Sequence, residues 1–178
     1  MKPETGTHQL SAANGRMTLN TSREGVAGKL GHDLTIEVGT WTATVTVAEE
    51  VADCSVTATI DLTSLQVVDG TGGAKPLSDK DRREIVKNAA KSLNTGSHPS
   101  AEFTSQTISG TWDAAQVSGT LNLAGRSAPL ELALTHGPEG YALTGTVVQT
   151  NFGIKPFSAM LGALKIADPV QLKVTATL

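Results

Sequence analysis

The chain has 178 residues, 39% of them hydrophobic but only 3% aromatic (three Phe, two Trp, one Tyr), so its core must be aliphatic. A chain of this length hides roughly two-thirds of its unfolded surface, enough for one well-buried domain and short for two. Fourteen Lys and Arg against 17 Asp and Glu leave a formal charge of −3, which excludes the electrostatic footprint of a nucleic-acid binder; no polybasic run marks a membrane-surface patch, and a mean hydropathy of −0.07 argues against disorder and a membrane span.

The first ten residues, MKPETGTHQL, hold no apolar stretch that could form the middle of a signal peptide. The expectation is a cytoplasmic protein, although a trimmed exported chain would read the same way. Asn14-Gly15 is the dipeptide of a two-residue type I′ hairpin, whose central positions need positive φ, and is expected to join a strand near Thr7–Ala13 to one near Arg16–Thr21. Glu24-Gly25 is similar punctuation. His32-Asp33 is the most suggestive polar pair. Adjacent strand residues point to opposite faces, so both reach one pocket only if the strand starts after them. Two readings stand: an imidazole and a carboxylate at a rim, open to a head group or a proton transfer, or a strand-initiating turn capped by Asp33.

Alternation follows. Trp41, Ala43, Val45 and Val47 oppose Thr42, Thr44 and Thr46, and Val56, Ala58, Ile60 and Leu62 oppose Thr57, Thr59 and Asp61, the two-residue period of a strand with one apolar face. Cys54, the sole cysteine, excludes an internal disulfide, suits a reducing compartment and reads as a small strand-end residue. Asp69–Pro76 is Gly-rich, with a mobile flap and an inert connection as its readings, and it lacks the Gly-Lys-Ser/Thr ending of a phosphate-cradling loop. From about 78 to 93 the period becomes helical. Ser78 is the expected N-cap, Asp79 and Asp81 sit in the first turn, and Ile85, Val86, Ala89, Ala90 and Leu93 make an apolar stripe. His98-Pro99 returns the chain to a strand near Phe103.

Further alternating runs carry Val117, Gly119, Leu121 and Leu123; then Leu130, Leu132 and Leu134; then, after the turn at Pro138-Glu139-Gly140, Tyr141, Leu143, Gly145 and Val147; and finally Val170, Leu172, Val174 and Ala176. Phe152 to Asp168 is irregular and too apolar for a solvated loop, so a short helix or lid over one end of the sheet is expected. The count is roughly eight strands, the signature of an antiparallel sandwich or an up-and-down barrel, with the terminal runs able to pair and close the sheet. Catalytic templates fit badly. There is no Gly-x-Ser-x-Gly elbow, and His8, His32, His98 and His136 lack metal-ligand spacing, so neither a metal nor a cofactor is expected.

The order of these motifs resembles a known family. Ser64-Leu65 after the Thr57–Asp61 run, the helix with Asp81-Arg82, the passage from Leu93 through His98-Pro99 and Phe103 to Ser105, the element from Val117 through Gly125 and Pro129 to Leu130, Asn151-Phe152-Gly153-Ile154 and the last strand, Val170–Thr177, are together similar to the YceI-like, polyisoprenoid-binding proteins. The chain departs from that pattern in placing His98 where the family usually has an aromatic before the Pro. The resemblance implies one domain over 1–178: an all-β, eight-stranded antiparallel lipocalin-like barrel with one amphipathic helix and a C-terminal lid, holding an isoprenoid lipid or quinone in its lumen. An eight-stranded barrel is independently about the size that either fills with side chains or holds one small ligand.

The expected function is non-enzymatic carriage of such a molecule, without nucleic acid or stable membrane insertion and with a homodimer open. Leu34, Ile36, Val45, Ile60, Leu121, Leu132, Leu143 and Val147 would take the tail; Phe103, Phe152, Met160 and Leu164 would close the ends. His32, Asp33, Asp81 and Arg82 are rim candidates. The alternative is a small barrel enzyme using His32, Asp33 or Asp81 for acid–base chemistry. With few rings, and those expected near the barrel ends, the guest should be a flexible aliphatic chain rather than a flat aromatic cofactor.

Overall fold

The computed structural model describes residues 2–178. In chain order the strands are β1 (Gly6–Ser11), β2 (Gly15–Thr21), β3 (Arg23–Glu24), β4 (His32–Val38), β5 (Trp41–Val47), β6 (Ser55–Asp61) and β7 (Leu65–Gly72). The helix α1 (Asp79–Ser92) follows, then β8 (Ser100–Gly110), β9 (Ala114–Leu123), β10 (Arg126–Gly137), β11 (Gly140–Val148), β12 (Ser158–Ala159), β13 (Leu164–Ile166) and β14 (Pro169–Ala176). All pairings are antiparallel. Eleven strands form one sheet in the order β1-β5-β6-β8-β9-β10-β11-β14-β2-β4-β7, and β12-β13-β3 form a small second one.

The sheet therefore has eleven strands rather than eight, and its order ends at β1 and β7 without a pairing between them. It is a curled, half-barrel wall and not the closed eight-stranded barrel expected. The difference has a local cause: residues 6–21, 32–47 and 55–72 are each interrupted midway, so each gives two strands. At the second and third interruptions the ladder is diverted into a corner. Gly39 N donates to Ser64 O (3.0 Å), Thr40 N to Ser64 Oγ (2.9 Å) and Asp61 N to Thr40 O (3.0 Å). Backbone groups that a straight ladder would pair are thereby still satisfied while the chain bends.

Asn14-Gly15 sits at the first interruption and makes no hairpin. β1 pairs with β5, whereas β2 lies between β14 and β4. Asn14 Oδ1 accepts from Ser11 N (2.8 Å) and its Nδ2 donates to Gln9 O (3.0 Å), so the side chain stands in for ladder bonds across the bend. The C-terminal strand β14 accordingly pairs with β2 rather than with the first strand.

The alternation sets the inner face. Leu34, Ile36 and Val38 on β4, Ala115, Val117, Leu121 and Leu123 on β9, and Leu130 and Leu132 on β10 are all buried in one core cluster. α1 begins and ends within a residue of the expected limits. Ser78 Oγ accepts from Asp81 N (3.1 Å), and Asp81 Oδ2 accepts from Ser78 N (2.9 Å) and Ser78 Oγ (2.7 Å), a complete capping box. The helix packs beside β7, the end strand of the sheet, with Ile85, Val86, Ala89 and Leu93 against the core. Arg82 Nη1 donates to Val67 O (2.7 Å), so the free edge of β7 is occupied rather than left as a template for pairing. Half of the expected Gly-rich loop is strand: Asp69–Gly72 continue β7 against β4. The remainder is pinned where His32 Nε2 donates to Lys75 O (2.7 Å).

Candidate ligand cavity

The inner faces of the strands and one side of α1 line a cavity of about 780 Å³. Ten of the sequence-assigned tail and end positions line it: Leu34, Ile36, Val45, Ile60, Phe103, Leu121, Leu132, Leu143, Val147 and Leu164. Two do not. Phe152 is 2% exposed and packs in the core, and Met160 is 58% exposed on the outside of the lid. Both lie in or beside 3-10 turns, Gln149–Phe152 and Met160–Gly162, where a strand's alternation gives no guide to direction.

The amphipathic pattern of 78–93 implies a helix lying on or plugging something apolar, but none of its apolar residues is among the expected lining positions. Ile85, Ala89 and Leu93 face the cavity together with Asp81, Glu84, Asn88 and Ser92, and their spacing of three and four residues was the available signal. Of the rings expected near the ends, Phe157 lies in the lid segment, whereas Phe152 packs in the core and Phe103 lies mid-strand. Trp41, Phe103, Trp112, Tyr141 and Phe157, five of the six aromatics, line the cavity. Phe103 is not an end seal: it lies within β8, opposite Leu121 and Ala58. Its ring reaches over Gly119, where an added Cβ would come within 2.5 Å of it. The rings belong to separate strands and loops, and aliphatic side chains still make most of the wall.

One end of the cavity is covered by two loops. Ala27 N donates to Ala163 O (2.8 Å), Ile166 N to Phe157 O (2.9 Å) and Ala167 N to Ser22 O (2.7 Å), and β3 pairs with β13. Gly25 allows this approach: its φ is +98°, and a Cβ there would lie 2.3 Å from Ala163 O. The Phe152–Asp168 segment is thus a lid made of turns and short strands. Phe157, Leu164 and Ile166 present it to the cavity, beside Leu30 of the other loop.

The four rim candidates separate. His32 and Asp81 line the cavity, whereas Asp33 and Arg82 do not. Asp33 Oδ1 accepts from Arg23 N (2.8 Å) and stands 4.0 Å from Arg23 Nε, so it ties β4 to β3 rather than capping a turn of its own. Arg23, which the sequence reading did not single out, lines the mouth, and its Nη1 donates to Gly31 O (2.8 Å) and Thr71 O (3.1 Å). The Asp81 carboxyl is held below its ordinary value by the Ser78 hydroxyl first and the Ser78 N–H second; burial opposes, and the charges of His32 and Lys80 add smaller contributions. The lining is predominantly apolar, with Arg23, His32 and Asp81 among its few polar residues.

Solved structures share the fold. A Burkholderia cenocepacia protein, BcnA, is 18% identical, with 90% of this chain and 93% of that chain covered and a TM-score of 0.65. A Campylobacter jejuni YCEI protein that crystallizes with large solvent channels is 14% identical, with 76% and 78% covered and a TM-score of 0.54. Among curated proteins none matches the chain. The model of the YceI-like domain matches residues 10–178, nearly the whole length, and the chain therefore belongs to the YceI-like domain family.

Proposed function

We propose that this protein binds and carries a hydrophobic, lipid-like molecule of isoprenoid, polyprenyl or quinone type in the cavity, by burial alone, with residues 1–178 acting as one domain. The observation that carries this reading is the cavity of about 780 Å³ walled by aliphatic side chains from the curled sheet and α1. Each CH₂ group placed there is worth about 0.8 kcal/mol, so a few isoprene units offset the ordering costs of binding. Family membership supports the same class of guest. The hydrogen bonds at the mouth support binding over chemistry: His32 Nε2 is committed to Lys75 O, Asp33 to Arg23 N and Asp81 to the helix cap. The head group would rest near Arg23 and His32.

Native mass spectrometry of freshly purified protein should show a co-purifying apolar mass, and delipidated protein should take up added polyprenol. Trp41 lines the cavity, so its emission offers a second readout of uptake. A protein that purifies without such a mass and ignores added polyprenols and quinones would remove the reading.

A further inference from the structure

The topology assembles at the lid a surface that no single stretch of sequence displays. Val26 is 97% exposed, Met160 58% and Leu161 109%. They come from the two loops that the Ala27–Ala163 backbone bond and the β3–β13 pairing hold side by side. Leu30 and Phe157 are exposed on the same lid and also line the cavity, so apolar surface extends from the outer tip to the mouth. Among the described residues the other exposed large apolar side chains are Val68 and Leu178 alone, so apolar exposure is concentrated at this end. Met160 and Leu161 hold φ of 53° and 55°, a conformation unfavourable to side chains, and in it Leu161 projects into solvent.

Charge is concentrated there too. Residues 22–31 and 152–168 carry Arg23, Lys29, Lys155 and Lys165 against Glu24 and Asp168, a net +2 in a protein of net −3, with Arg23 paired to Asp33. The three lysines are exposed, and none is in an ion pair among the described residues. We propose that the lid docks the protein peripherally on an anionic lipid surface, with Val26, Met160 and Leu161 at the acyl boundary and Lys29, Lys155 and Lys165 over the head groups. A second copy of the chain fits this face less well, because a two-fold contact sets like charge against like charge. The proposal rests on the lid's outer surface and stands whatever the cavity carries. It gives that surface a use: an apolar tail leaving the bilayer would meet Leu30 and Phe157 first.

Flotation of the full chain with vesicles tests it. Protein should float with phosphatidylcholine vesicles containing phosphatidylglycerol and much less with phosphatidylcholine alone, and the binding should weaken as salt rises. Lys155→Gln and Lys165→Gln should each weaken it by roughly fivefold. Met160→Ser with Leu161→Ser should weaken it by about tenfold or more, as should Val26→Ser together with either change on the opposite loop. These side chains are exposed, so unchanged circular dichroism should accompany the loss. A wild-type chain that stays at the bottom of the gradient with anionic vesicles overturns the proposal, as do Ser variants that float like wild type or a dimer that the same variants dissolve. Flotation that persists in a chain unable to retain polyprenol would remove the carriage reading and leave docking in place.

Discussion

Gly119 shows how one missing side chain shapes the cavity wall. A Cβ there would stand 2.4 Å from Thr104 O and 2.5 Å from Phe103 Cζ. The ring could swing away, but the carbonyl belongs to the neighbouring strand and is held by the ladder. Gly119→Ala is therefore expected to lower stability by about 1–3 kcal/mol, the usual range for overpacking, read as a lower urea midpoint. Phe103→Ala loses a buried ring and is destabilising on its own, so combining it with Gly119→Ala should give a loss smaller than the sum of the two, the remainder being the clash with the Thr104 carbonyl; an unchanged midpoint in Gly119→Ala would show that the sheet yields there. Gly119 was legible as an inner-face position from the alternation of Val117, Leu121 and Leu123. The ring above it was not, because pattern gives the face of a residue and not the strand it reaches across to. The same limit governs His32 and Asp33. Their opposite faces followed from the strand period, but the partners that occupy them, Lys75 O and Arg23 N, come from other parts of the chain.

Among the elements, α1 was the most legible, because its signals are local. Ser78, Asp81 and the 3.6-residue stripe lie within one short stretch, and the hydrogen bonds realise them. The cap also carries a pH dependence whose sign can be fixed. The Asp81 carboxyl is held below its ordinary value of 3.8, chiefly by the Ser78 hydroxyl. A carboxyl whose folded pKa is depressed contributes stability that is fully present above the unfolded value and lost as pH falls through the folded one. The stability difference between wild type and Asp81→Asn should therefore be largest near neutral pH and close at acid pH below that ordinary value, followed by helical circular dichroism in urea. Ser78→Ala should cost about 1 kcal/mol at neutral pH. A wild-type-to-Asn difference that stays constant into acid would show that the carboxylate charge contributes nothing to the cap. The strands were legible as runs but not as partners. Asn14-Gly15 has the chemistry of a hairpin turn, yet its flanks find better partners in β5, β14 and β4, and tertiary pairing overrides a two-residue signal.

At the scale of the whole molecule, the apolar cavity followed from the sum of the alternating runs, whereas the openness of the sheet and the composition of the lid did not. The interruptions in residues 6–21, 32–47 and 55–72 matter only because neighbouring segments bend with one another, and the lid joins loops more than a hundred residues apart. The bend divides the cavity in a way that can be tested. Along 32–47, lining positions run from His32 at the lid end, past the corner at Gly39-Thr40, to Val47 in the far half. Ala43 and Ala58 face each other on β5 and β6 in that far half, both on the cavity wall. A larger side chain at either position occupies space that a long tail would need and leaves the lid-side half open. Ala43→Phe and Ala58→Phe should each weaken long polyprenols by about tenfold, as two or so CH₂ groups lose their apolar surroundings at roughly 0.8 kcal/mol each. Short isoprenoid chains should bind as before. Native mass spectrometry across a chain-length series gives the comparison, with an unchanged melting temperature as the control for folding. If both variants keep the wild-type profile, the far half takes no part in holding the tail, and the guest lies wholly between the lid and the corner.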